Sequence, residues 1–299
     1  MTDTPIVWRS LLYVPASNPR FVAKAHTRGA DGVILDLEDS VPASERPAAR
    51  EGLQAAVETV GQAGADVLVR INRPILDAMR DLEAAIAPGV CALKVTKVSG
   101  PGHIQLIAEA VDTLEAERGM PVGHTKFVAM VETPSALLRA AEIARAHPRV
   151  VAMVLGGEDF ATEMGMEPAG DTLQQAKIQC LTAARAAGIM PLGFIGTVAD
   201  YTDEDAFRET VRRSRRFGFE GGSCIHPSGV QILNEEMSPG PEQVDWAERV
   251  VAAYAEAEAA GKGAITIDGK MVDVPVAVRA QALLARHAAI KARQRAAGG

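Results

Sequence analysis

The sequence predicts an α/β protein: a (β/α)8 TIM barrel followed by a C-terminal hairpin-helix appendage. Three observations lead there. Eight short apolar runs of strand length recur along the chain, Ala/Glu/Arg-rich segments with helical spacing separate them, and a two-residue turn signal lies beyond the eighth. Strands of parallel sheets are buried on both faces and so read as continuous Val/Ile/Leu runs. Alternation of strand and helix implies right-handed crossovers, and eight such units close into a barrel of about 230 residues. A doubly wound open sheet fits less well, because no glycine-rich phosphate loop follows the first strand.

In chain order the strand runs are SLLYVP, GVILDLED, DVLVRIN, CALKVTKV, TKFVAMVE, VVAMVLGGED, IMPLGFIG and GSCIHP. The helical segments include ERPAAREGLQAAVETV, with Ser44 as its expected cap, and PSALLRAAEIARAHP, with Pro134 in its first turn. QQAKIQCLTAARAAG and DEDAFRETVRRSRRFG are expected to end at Gly188 and Gly218. The barrel is assigned to residues 5–238. Residues 239–299 form the extension: the helix-like PEQVDWAERVVAAYAEAEAAGKG, a hairpin turning at Asp268-Gly269, and the amphipathic VAVRAQALLARHAAIKARQ.

A chain of 299 residues with 47% hydrophobic residues can bury a large core. It has no apolar stretch long enough to span a bilayer, and MTDTPIVWRS lacks the pattern of a signal peptide, so the expected location is the cytoplasm, with no membrane partner. A net charge of −7 argues against a nucleic-acid partner, and an anionic substrate must then be met by a few local cations. Cys91, Cys180 and Cys224 are far apart and in no metal-ligand spacing, which makes them reduced core residues.

Catalysis in such barrels sits at the carboxyl ends of the strands. Read in order, those ends carry Arg20 shortly after the first strand, then Asp36, Glu38 and Asp39, Arg70 and Asn72, Lys97, Glu132, Asp159 and His226. A single charge at a strand end only marks where the chain meets water. Seven of eight strands ending this way points to one functional rim. Glu132 and Asp159 end adjacent strands, where two carboxylates repel unless a cation lies between them. Mg2+, held by one or two carboxylates plus water and substrate oxygens, suits the pair; zinc suits it less, with no His or Cys in ligand spacing nearby. Arg70 offers a planar fork for a carboxylate. Metal and arginine together point to a small 2-oxo or 2-hydroxy acid.

Five segments, RSLLYVPASNPRFVAKAHTRGADGVILDLEDSV, VRIN, MVETPSAL, VLGGEDFATEMG and GFEGGSCIHPS, resemble in order and spacing the citrate lyase β-subunit-like branch of the HpcH/HpaI aldolase family. The resemblance covers nearly the whole chain. It implies a (β/α)8 barrel that makes or breaks a carbon–carbon bond between an acyl thioester and a 2-oxo acid with Mg2+, or Mn2+ in its place. It further implies Glu132 and Asp159 as metal ligands and Arg70 as the substrate-carboxylate arginine. Glu38 and Asp39 match the acidic motif beside the metal, and Arg20 and Lys24 match basic positions near the phosphates of CoA. In the stand-alone lyases of this branch, the segment matched here by MVDVP crosses a subunit interface and delivers an aspartate, here Asp273, as the acid/base for the acetyl methyl group. A homotrimer or homohexamer follows from such an exchange.

The resemblance thus implies a lyase acting on a malyl-CoA or citramalyl-CoA type thioester. A malyl-CoA-type thioesterase and a citryl-carrier-cleaving citrate lyase β subunit are its alternatives; an aldolase without CoA and a non-catalytic complex subunit rank lower. Relatives often carry a lysine where Gly222 stands, a glutamine at Gly229 and Pro-Lys where this chain has Thr96-Lys97, so contacts to the carrier are expected to differ. His226 is expected to pack under the rim, with a backbone contact to the carrier as the alternative.

Overall fold

The computed structural model describes residues 6–198 and 202–297. The proposed start of the barrel at residue 5 lies outside the described residues. The strands are β1 (Ser10–Pro15), β2 (Gly32–Asp36), β3 (Asp66–Ile71), β4 (Val90–Val95), β5 (Lys126–Val131), β6 (Val150–Leu155), β7 (Met190–Leu192) and β8 (Gly222–Cys224), with helices between them. They form one parallel sheet in the order β7-β6-β5-β4-β3-β2-β1-β8. The edges β7 and β8 meet through a bridge between Leu192 and Gly221, with Gly193 N–H donating to the Gly221 carbonyl at 2.8 Å. The sheet is thereby a nearly closed barrel, as the eight-unit alternation predicted.

Burial explains why the runs were legible. All five residues of β2 are buried, and alternate strand positions such as Val33, Leu35, Val67, Val69, Leu93 and Val95 pack with the surrounding helices into one core. At the N-terminal face Arg9 and Asp31 form a buried bidentate pair, with Nε and Nη2 each 2.8 Å from a carboxylate oxygen. Helix caps follow local chemistry. Thr133 accepts from the Ala136 N–H ahead of Pro134, and Gly218 ends its helix in the left-handed region at φ 107°. Three helix expectations are corrected: PSALLRAAEIARAHP is divided at Arg139 into Pro134–Leu138 and Ala140–Ala144, and two more concern the segment after β2. ERPAAREGLQAAVETV is broken at Gly52 into Arg46–Glu51 and Leu53–Gly61, and the residue at the N-cap is Glu45, which makes no side-chain bond there, not Ser44.

The chain divides into two compact units, Trp8–Met237 and the segment from Ser238 onward together with Ile6 and Val7. In the second unit the helix Pro241–Ala259, the antiparallel pair β9 (Ile265–Ile267) and β10 (Lys270–Val272), and the helix Val274–Ala297 enclose a small core around Val250, Tyr254, Val272 and Ala280. Asp268 and Gly269 take φ 52° and 73°, the two left-handed residues that a tight hairpin turn demands.

Candidate active site

Register places the first part of the site. Asp36 on β2 is paired with Arg70 on β3, and Arg70 with Lys94 on β4. Residues in register on parallel strands point to the same face. All three line a cavity of about 360 Å3 within the barrel unit. Arg70 clamps Asp36 bidentately, Nε to Oδ1 and Nη2 to Oδ2, both at 2.6 Å. Asp36 also accepts from the N–H groups of Glu38 and Ser40 and from the Ser40 hydroxyl. Burial works to raise the pKa of Asp36, but the Arg70 bonds, then Ser40 and Glu38, outweigh it and hold the carboxyl below its ordinary value.

The loop after β2 adds the next charges. Glu38 is buried and lies 2.9 Å from Arg70 Nη1 and 2.6 Å from Lys97 Nζ; burial raises its pKa in spite of those two cations. Asp39 is exposed and sits 3.5 Å from both Arg70 Nη1 and Lys97 Nζ. Lys97, two residues past β4, has φ 47°, a left-handed conformation that costs a side-chain-bearing residue about 1 kcal/mol or more. Its N–H donates to Glu132 Oε2, and its ammonium reaches Asp159 Oδ1 at 3.6 Å.

Glu132 directly follows β5 and is only 1% exposed. Burial pushes its pKa up to about 7; the Lys97 N–H opposes the shift, while the nearby charges of Asp159 and Glu38 add to it. Asp159 sits in the first turn of the helix Gly157–Met164 after β6, partly exposed at the same cavity. Buried Glu132 and its acidic neighbours thus draw in positive charge, since Lys97 places its ammonium among Glu38, Asp39 and Asp159. These are hard oxygen donors, which suits a divalent cation of the Mg2+ type. Among the described residues no group of three or more His, Cys, Asp or Glu is arranged to hold a metal. A cation at Glu132 and Asp159 would complete its shell with water and substrate oxygens, the usual habit of Mg2+.

Of the residues singled out in the sequence, Glu38, Asp39, Arg70, Glu132 and Asp159 are brought together here. Arg20 and Lys24 lie exposed on the helix Pro19–Ala25 after β1. Asp273 belongs to the other unit, where Oδ1 accepts from the Val276 N–H at 3.4 Å and caps the last helix. His226 is exposed and bonds Ser228 Oγ at 2.9 Å, so it does not pack under the rim as expected. Asn72 is drawn away from the rim by Asp81, which accepts from its backbone and side-chain N–H groups. Three cavity residues had no role in the sequence reading. Tyr13 lies beneath two cations, with Arg70 Cζ 4.9 Å and Lys94 Nζ 4.5 Å from its ring centroid. Lys94 donates to the third, Ser223, at 2.9 Å.

With this geometry in hand, comparison with known proteins gives a consistent result. The family model for HpcH/HpaI aldolase/citrate lyase matches residues 9–227. The (3S)-malyl-CoA thioesterase of Cereibacter sphaeroides is 37% identical over 288 residues, 95% of this chain and 96% of that one. The citrate lyase subunit beta of Leuconostoc mesenteroides is 34% identical over 281 residues, 92% of each chain. Among solved structures, the CitE protein of Mycobacterium tuberculosis in complex with magnesium, acetoacetate and coenzyme A is similar at a TM-score of 0.74 and 31% identity, over 93% of this chain and 97% of that one.

Proposed function

We propose, starting from the fact that this chain belongs to the HpcH/HpaI aldolase/citrate lyase family, that it is a Mg2+-dependent carbon–carbon lyase acting on a malyl-CoA or citramalyl-CoA type thioester. The observation that carries this reading is the buried Glu132 beside Asp159 at a cavity shared with the Asp36-clamped Arg70. Glu132 and Asp159 would hold the cation, Mg2+ or Mn2+. Bound there, it supplies Lewis acidity toward the oxygens of a 2-oxo acid.

The chain's own residues do the rest. Asp36 engages Nε and one N–H of Nη2 while Glu38 and Asp39 flank Nη1, so the second N–H of Nη2 is the one that would meet a substrate carboxylate and orient the acid. Glu38 and Asp39 steady the outer edge of that guanidinium and the Lys97 ammonium. Arg20 and Lys24 would meet the phosphates of the CoA carrier. Asp273, supplied by the extension 239–299 of a neighbouring copy in a homotrimer or homohexamer, would take a proton from the acetyl methyl group in condensation and return it in cleavage. The place of action is the cytoplasm; among the described residues no helix is long and apolar enough to cross a membrane.

A second reading, thioester hydrolysis in the same cavity, is favoured by the 37% identity to a protein named a malyl-CoA thioesterase. One experiment separates them. The purified protein is given malyl-CoA and citramalyl-CoA with Mg2+, and acetyl-CoA, 2-oxo acid and free thiol are detected separately, alongside Glu132→Ala and Asp273→Asn. Acetyl-CoA with oxo acid, lost in both variants, supports the lyase. Free thiol with malate or citramalate supports hydrolysis, and no turnover of either ester refutes both and points to a carrier-protein substrate.

A further inference from the structure

Lys94 has no part in the chemistry described so far, yet it lines the same cavity and is 1% exposed. Its side chain crosses the barrel: β4 and β8 stand on opposite sides of the ring of strands, and Nζ donates to Ser223 Oγ at 2.9 Å. Arg70 and Lys97 are each held by carboxylates, whereas among the described residues none is within ion-pair distance of Lys94. The groups that face it are Tyr13 on β1, Asp36 and Glu38 on β2 and its loop, Arg70 on β3 and Glu132 after β5. Burial and then the neighbouring Arg70 bring its pKa down to about 7, so free amine is present at neutral pH. Desolvation and an adjacent cation are the conditions that turn a lysine into a nucleophile toward carbonyl carbon.

The same surroundings position a partner for that amine. Arg70 Cζ and Lys94 Nζ lie 4.9 and 4.5 Å from one Tyr13 ring centroid, so a three-carbon acid whose carboxylate meets Arg70 brings its carbonyl carbon within reach of Nζ. Ser223 Oγ, beside Nζ, can pass protons between the nitrogen and the carbonyl oxygen. We propose that Lys94 is a nucleophile that forms an imine with the carbonyl carbon of a 2-oxo acid held by Arg70, a covalent activity that needs no metal. The amine lone pair makes the N–C bond while the carbonyl π pair moves onto oxygen. That oxygen takes one proton from Nζ through Ser223 and a second from water, the C–O bond breaks, and water leaves. In sum an ammonium and a ketone become a protonated imine and one water, with no oxidant or reductant, and hydrolysis reverses the step. The inference goes beyond the Mg2+-dependent cleavage proposed above and rests on that reading only for the placement of the acid on Arg70.

The test is reductive trapping. The full chain, treated with EDTA, is incubated with pyruvate and sodium cyanoborohydride, which fixes an imine as a stable secondary amine, and the adduct is located by peptide mass spectrometry. Lys94 is expected to carry the reduced pyruvyl group at least about ten-fold ahead of any other lysine. Ser223→Ala, which removes the proton relay, is expected to slow modification of Lys94 several-fold while the exposed lysines react as before. The wild-type map decides the matter even where a variant fails to fold. Adducts spread evenly over the lysines, or confined to exposed ones, overturn the proposal. Cleavage of malyl-CoA with Mg2+ by a protein whose Lys94 stays unmodified refutes the role of Lys94 alone. A modified Lys94 in a protein that cleaves no thioester supports the imine and refutes the lyase.

Discussion

Replacing Gly156 by alanine asks whether the position of the Glu132 carboxyl group governs activity. Gly156 follows β6 with φ −79° and ψ 98°, a conformation open to any L-residue, so the substitution introduces no backbone strain. Its effect is steric. The added Cβ would stand 2.5 Å from Glu132 Cγ, 2.7 Å from Oε1 and 2.9 Å from Cδ. Carbon atoms settle at about 3.5–4.0 Å, so the glutamate must retreat by roughly 1 Å. It cannot swing freely, because it is buried and tied to the Lys97 N–H. A displacement of about 1 Å in a catalytic constellation lowers the rate on the order of 10²-fold. Overpacking of this kind destabilises by about 1–3 kcal/mol, which lowers Tm by roughly 2–12 °C for a chain of this size and leaves it folded at 25 °C. The assay is kcat/KM for thioester cleavage together with Mg2+ affinity, with Gly102→Ala as control, since a Cβ at Gly102 meets nothing within 4 Å. A Gly156→Ala protein with wild-type kcat/KM and wild-type Mg2+ affinity would refute the reasoning.

Three further outcomes are expected. Adding MgCl2 at about 100 times its Kd should stabilise the protein by about 2.7 kcal/mol over a chelator-treated sample, seen as a rise in Tm that Glu132→Ala abolishes; equal melting in both conditions argues against a metal at this site. Asp36→Asn removes the charge that clamps Arg70 and should raise KM for the acid far more than it changes Tm; an unaltered KM would mean the clamp is dispensable. Glu115 accepts from Arg149 at 3.0 and 2.6 Å and from the N–H groups of Thr125 and Gly123 at 2.7 Å. Burial works to raise its pKa, but Arg149, then Thr125 and Gly123, bring it down to about 2 from an ordinary 4.5. The folded value lies below the unfolded one, so its contribution is fully present above pH 4.5 and is lost as pH falls through 2. It amounts to about 3 kcal/mol, and Glu115→Gln should flatten this part of the curve in denaturant titrations between pH 6 and pH 2.5.

What the sequence could and could not reveal follows from how each feature is encoded. The strands were legible because a barrel strand is buried on both sides, so apolar character runs unbroken along it. The hairpin was legible because Asp268-Gly269 is a local signal for two left-handed residues. The same continuous burial hid Lys94. In a strand with no alternation of polar and apolar positions, CALKVTKV does not say which residues face the interior, and Lys94 reads as an interruption of an apolar run. Helix limits were blurred for a different reason: Gly52 breaks a periodic segment without disturbing its pattern, so only the backbone shows two helices there.

The acids at the end of β2 show the same division between local and non-local information. The run GVILD places Asp36 at the strand end, and the sequence alone explains why it is buried. Why it can remain charged there depends on a residue 34 positions away, since Arg70 in register on β3 supplies both N–H groups that bind it. Lys94, one strand further, then adds a cation that Asp36 does not neutralise. Two strand registers therefore convert three separate residues into a row of charge facing one cavity. Each strand end shows one charge by itself, and only the register shows that the three share one cavity.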